Sequence, residues 1–157
     1  MLINFKKNSG AHHALSYTRD DGSVTWMQGD GFLVQHDLTH YTIETVLGYK
    51  TAFNGMLNMG MDIKDFEDKA KRDNMNLTAE AVYAENLANL FLLGTKQGNF
   101  EDFNAVQQAS FVSFGGQFDP VTLSHDEIEQ VRLRLRGLLQ QWNELPEGET
   151  LTLTFTA

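Results

Sequence analysis

Residues 35–48 of this 157-residue chain read QHDLTHYTIETVLG, and they separate a strand-patterned beginning from a long helical middle. His36 and His40 are four apart. Their H-D-x-x-H order is one methylene short of the H-E-x-x-H signature of zinc peptidases. Two readings of the local structure stand. A helix already running through residue 36 places both imidazoles on one face, at the spacing that lets them reach one metal ion. A helix capped by Asp37, a favoured N-cap residue, leaves His36 outside and dissolves that face.

On the first reading, a turn advances about 100° per residue, and His36, His40 and Glu44 form a stripe roughly 80° wide. It runs beside an apolar arc of Leu38, Ile43, Val46 and Leu47 and is expected to be half-buried. Helix neighbours four apart have Cβ atoms about 5–6 Å from each other, so one ion reaches two of the three. The third ligand then comes from another segment. Glu85 is the first candidate, because it lies in a mostly apolar helical stretch where an unpaired carboxylate is costly to bury. Asn89, one turn on, is placed to hold it. His36, His40, Glu44 and Glu85 thus predict a divalent metal site, zinc first. Asp37 would be its general base despite the shortened reach, acting in hydrolysis of a small or peptide-like substrate. The alternative is a non-catalytic structural or interaction domain in which the same groups form a buried polar network.

Outward from this stretch, the N-terminal residues alternate as strands. LINFK is followed by the turn-rich KNSG, then by HHALSYT, with Leu15 and Tyr17 on one face. RDDGS carries the Asp-Gly hairpin signal, and SVTWM returns with Val24 and Trp26 on one face. At the other end LPEGE is a turn, and TLTLTF points Leu151, Leu153 and Phe155 inward. A lone C-terminal strand needs a partner, and the N-terminal meander offers one. The fold class is therefore α+β, an antiparallel sheet of the three-stranded meander plus the last strand, packed against a helical middle. One domain over 1–157 is expected, since no linker or repeat interrupts the pattern.

In the middle, LSHDEI holds a capping box from Ser124 to Glu127 and a hydrophobic staple from Leu123 to Ile128. Ile128, Val131, Leu135, Leu138, Leu139 and Trp142 follow on one arc. A second helix starts at Thr78 and runs to about Leu93, with Gly94 placed to stop it. It is apolar on most sides, which predicts the centre of the fold for it. Shorter helices are expected over KDFEDKAKR and EDFNAVQQAS.

In the order RDDGSVTW hairpin, HDLTHYTIETVLG, an AEN-containing helix and LPEGETLTLTF, the chain resembles a family of small, uncharacterised bacterial proteins marked by an HDLTH motif. The resemblance implies a shared fold and no particular activity. Members tend to carry His after the Glu of the middle helix; here Asn86 stands there, which weakens position 86 as a ligand.

The net charge of −9 argues against nucleic acid, because phosphate binding needs clustered Lys and Arg, and Lys69, Lys71 and Arg72 directly follow a run of carboxylates. The absence of cysteine excludes disulfides and thiolate chemistry. No apolar run approaches the roughly 18 residues of a membrane span, so a cytoplasmic protein without a membrane partner is expected, and a homodimer is a reasonable assembly. His12, His13 and His125 read as ordinary surface residues. GMLNMGMD offers methionines either to an adaptable binding surface or to an irregular core gap. FVSFGGQFDP reads as a connecting loop without phosphate-loop spacing, and Ser110 and Ser113 lack the context of a serine nucleophile.

Overall fold

The computed structural model of the chain describes residues 1–114 and 116–157. Strands β1 (Leu2–Lys6), β2 (His13–Thr18) and β3 (Val24–Gly29) come first and β4 (Thr150–Thr154) last. Between them run α1 (Gly31–Leu47), α2 (Phe53–Asn58), a 3-10 turn over Ile63–Phe66, α3 (Lys69–Asp73), α4 (Ala79–Gln97), α5 (Phe103–Phe114) and α6 (His125–Glu144). The strands form one antiparallel sheet in the order β3-β2-β1-β4. The α+β architecture is as the patterning predicts, with the C-terminal strand beside β1 and Phe5 opposite Leu151.

Period-two alternation places Ile3, Phe5, Leu15, Tyr17 and Met27 on the inner face, where they are buried with Phe155. Val24 and Trp26 point out and are exposed. The inner face shares a core with Val34 and Leu38 of α1, Leu57 of α2 and Leu138 and Trp142 of α6. A second core joins Ile43 of α1 to Leu87 and Phe91 of α4, Phe103 of α5 and Val131 and Leu135 of α6. Both α1 and α6 contribute to the two cores, but only α1 carries an unbroken buried stretch, which makes it the central helix. Every residue from Asp37 to Glu44 is buried, whereas the sequence pattern gives that place to α4. The deception is chemical: Thr39 and Thr42 look like surface residues, but each hydroxyl donates 2.7 Å to the carbonyl four residues back and needs no water.

The start of α1 settles the first ambiguity. Asp30 is its N-cap, accepting from the Leu33 amide at 2.9 Å, so the helix runs well before residue 36 and Asp37 is no cap. Three other expectations change. Gly94 does not stop α4; a glycine inside a helix costs only about 1 kcal/mol, and the helix continues to a C-cap at Gly98. KDFEDKAKR divides into the 3-10 turn and α3, because Asp68 caps a new helix by accepting from Lys71. The first residues of FVSFGGQFDP extend α5 to Phe114; Gly115, in its glycine pair, lies outside the described residues.

The stretch from residue 64 to 77 is pinned at both ends. Before it, Arg19 donates to the Leu57 and Met61 carbonyls, and the Thr25 hydroxyl joins Asp62 to the Ile63 amide. After it, the Thr78 hydroxyl donates to the Thr51 carbonyl. Residues 67–74 are exposed throughout. No helix among the described residues is long and apolar enough to cross a membrane.

Candidate metal centre

Two helices bring the candidate ligands together. His36 and His40 project from the same face of α1, with ring centroids 4.7 Å apart. Glu85, on the facing side of α4, reaches both. Its Oε2 accepts from His40 Nε2 at 3.0 Å, and its Oε1 lies 3.6 Å from His36 Nε2. Asn89 steadies the carboxylate by donating to Oε1 at 3.2 Å, as its position one turn on predicts. One nitrogen from each imidazole and a Glu85 oxygen all lie within 4.8 Å of one another, close enough to hold a metal ion.

The other ring nitrogens face carboxylates as well. Asp37 Oδ1 lies 3.6 Å from His36 Nδ1, while its Oδ2 accepts from the Tyr17 hydroxyl of β2 at 2.7 Å. Glu44 Oε1 lies 3.5 Å from His40 Nδ1. That contact falls short of hydrogen-bond geometry and leaves the buried Nδ1 without a partner. Both Glu44 oxygens are held instead by the backbone and side-chain nitrogens of Asn54 in α2. A nitrogen on each imidazole that looks away from the cluster toward a carboxylate is the arrangement that fixes metal-binding histidines.

Glu44 does not converge with His36, His40 and Glu85; it backs His40 from the opposite nitrogen, two helix turns away from His36. Asp37 lines the same cavity, with Oδ2 engaged by Tyr17 and Oδ1 3.6 Å from His36 Nδ1. The stripe is also deeper than half-buried, with His40 and Glu44 fully enclosed and only His36 partly open. Tyr17 and Asn54 were invisible to pattern reasoning, for they are brought in by long-range packing. A buried acid on each side of His40 is the signal that donors must exist.

Burial alone would strip the histidines of their protons. At His40 it is outweighed by the nearby Glu44 carboxylate and by the hydrogen bond and charge of Glu85, which push the imidazole up to about 10. Burial is likewise outweighed at His36, raised by Asp37 and Glu85. Burial opposes Glu85 too, yet His36 and His40 hold its carboxyl far below the usual carboxylate range. Burial, with Asp37 beside it, drives the Tyr17 hydroxyl well above its ordinary value and keeps it a donor.

The trio forms part of the lining of a cavity of about 510 Å³. Phe53, whose ring centroid is 5.3 Å from that of His40, makes one wall. The remaining histidines stand elsewhere. His12 and His125 are exposed, but His13 is buried edge-on against Trp142 and is no surface residue. Asn86 bonds to Ser110 and Gln107 of α5, away from the cluster. Of the methionine-rich GMLNMGMD, Met56 lines the cavity and Met59 is exposed.

The fold and site together define an α+β protein with a His-His-Glu cluster carried on two packed helices. No family model, curated protein or solved structure matches the chain. Function is therefore argued from the site itself.

Proposed function

We propose that the protein binds one divalent metal ion, zinc by preference, through His36, His40 and Glu85, and uses it to hydrolyse a substrate held in the adjoining cavity. One observation carries this reading: three donors converge beside a cavity, and each imidazole has a carboxylate at its other nitrogen. In a tetrahedral zinc site, bonds of roughly 2.0–2.2 Å put neighbouring ligand atoms about 3.3 Å apart. Glu85 Oε2 stands 3.0 Å from His40 Nε2 and Oε1 3.6 Å from His36 Nε2, so each imidazole lies near that span from one of the two carboxylate oxygens. Two histidines and a glutamate leave one position for water or substrate.

A zinc ion there would supply Lewis acidity and a water acidified toward neutrality. The chain's own part is positioning. Asp37, fixed by Tyr17, orients His36; Glu44, fixed by Asn54, orients His40; Asn89 holds Glu85. Asp37 is thus a positioning residue in this proposal rather than a proton acceptor. Hydrolysis adds the oxygen of water to the carbonyl carbon and breaks the bond to the leaving oxygen or nitrogen. The leaving group departs protonated and the acid product remains. Membership of the HDLTH family belongs to the same proposal, supported by the order of its motifs, as does a cytoplasmic place, supported by the cysteine-free sequence.

The direct 3.0 Å bond from His40 to Glu85 favours a second reading, a metal-free polar network that ties α1 to α4. Elemental analysis of untagged protein separates the two. Zinc close to one equivalent in the wild type, and none in a His36→Ala/His40→Ala double variant, is expected. Wild-type protein that retains no zinc after incubation and dialysis overturns the metal reading. An Asp37→Asn variant should retain zinc with affinity lowered about 10–100-fold, the usual cost of losing such an orienting partner.

A further inference from the structure

The walls of the cavity restrict what can enter it. Beyond His36, Asp37, His40 and Glu85, its lining contains the side chains of Met27, Phe53, Met56, Ile63, Phe66 and Met75, among other apolar ones. Among the described residues the remaining charged groups in the lining are Glu67 and Arg72, which are exposed and stand in the solvent-facing stretch 67–74. Among the described residues, no wall side chain carries a hydroxyl or an amide.

That distribution decides against polar ligands. A sugar, a nucleotide or an extended peptide backbone would surrender hydrogen bonds to water along its length and regain few, at a cost of roughly 1–3 kcal/mol for each group left unpaired. A ligand that is polar at one end and apolar along the rest loses nothing of that kind. The volume suits a small molecule, since ligand cavities range over about 300–1,000 Å³. Three of the wall residues are methionines, from β3, from α2 and from the connection between α3 and α4. Their unbranched, polarisable side chains adapt to a chain of variable shape better than a rigid aromatic slot would.

We infer that the cavity takes medium-chain acyl compounds, with a carbonyl or carboxyl head at the His36–His40–Glu85 cluster and an apolar body against the methionine and phenylalanine walls. The inference rests on the proposed metal site for the head group and on the walls alone for the body. It replaces the peptide-like substrate allowed by the sequence with an acyl ester or amide. The head can coordinate where the fourth ligand position lies, and the body is desolvated in proportion to its length. Arg72 and Glu67 stay with the solvent and do not enter the recognition.

Two ligand series measured by calorimetry test it. Acetohydroxamate, hexanohydroxamate and octanohydroxamate carry a metal-binding head and are titrated into zinc-loaded protein. Hexanol and octanol lack such a head and are titrated into metal-free protein. Each added methylene is expected to tighten binding about two- to fourfold in both series, from a burial contribution of roughly 0.8 kcal/mol. Met75→Glu should flatten the length dependence without lowering zinc content, since Met75 is outside both core clusters and is not one of the three candidate donors. A slope among the alkanols in protein that takes up no zinc overturns the metal site and leaves the apolar selection standing. Zinc uptake with equal affinities along both series overturns the inference while the metal site survives.

Discussion

Helices α1 and α6 are similar in length and opposite in design. On α6 the apolar residues Ile128, Val131, Leu135, Leu138 and Trp142 are buried, and the polar residues between them meet water. On α1 the residues from Asp37 to Glu44 are buried on all sides, although this stretch contains two carboxylates, a histidine and two threonines. Water satisfies the polar side of α6; on α1 the protein must do it. Each polar side chain of α1 therefore needs a named partner: Tyr17 for Asp37, Glu85 for His40, Asn54 for Glu44 and backbone carbonyls for the threonines. A helix that must find all its partners inside the fold is costly to build without a use, and this one carries the candidate ligands.

If the comparison is right, removing a polar group from α1 should harm the fold at least as much as removing an apolar one from α6. Glu44→Ala takes away the acceptor for two Asn54 nitrogens and the neighbour of a buried imidazole, so a loss of about 3–5 kcal/mol in urea unfolding is expected. A loss below about 1 kcal/mol would show that water fills the gap and that the interior of α1 is not dry. Leu135→Ala on α6 leaves a cavity and should cost about 2–4 kcal/mol by the same measurement.

The pH dependence sharpens the contrast, because α1 should dominate it. In metal-free protein His40 holds its proton up to about 10, against an ordinary value of 6.5. A raised folded value means its stabilising contribution is complete below about 6.5 and drains away as pH climbs toward 10. Glu85 works in the reverse sense: held below its ordinary 4.5, it stabilises above that value and loses its effect as pH falls. The melting temperature of metal-free protein should therefore peak between these limits. Zinc competes with the same protons, so its affinity should rise with pH until His40 loses its proton near 10. A melting temperature flat from pH 6.5 to 10 would argue against the charged His40–Glu85 pair. The smallest effect belongs to α6 again: Ser124→Ala removes one half of a capping box and should cost about 1 kcal/mol at any of these pH values.

The same contrast explains what could be read from the sequence. The sheet and α6 were legible because alternation in TLTLTF and the 3.6-residue period after Ser124 report burial against solvent directly. The convergence of His36, His40 and Glu85 was legible because spacing and an acid in an apolar stretch are local signals. The central place of α1 was not, since threonine, histidine and glutamate mimic a solvated face and only their long-range partners reveal otherwise. The placement of Glu44 and Asp37 was not legible for the same reason: which nitrogen of an imidazole a carboxylate faces is set by packing against Asn54, on another helix, and Tyr17, in a strand. The start of α1 was present in the sequence at Asp30, a capping residue overshadowed by the histidines that follow.

The stretch between Ile63 and Thr78, tied down at each end and exposed from residue 67 to 74, has a consequence for how the folded protein is degraded. It presents Lys69, Lys71 and Arg72 to solvent on a five-residue helix with no buried residue, a combination that opens locally at little cost. Trypsin added to native protein should nick the chain here first, yielding two fragments that stay associated through α1 and the sheet. An acyl hydroxamate seated under Phe66 and Met75 should slow that cut, turning a routine digest into a gauge of cavity occupancy.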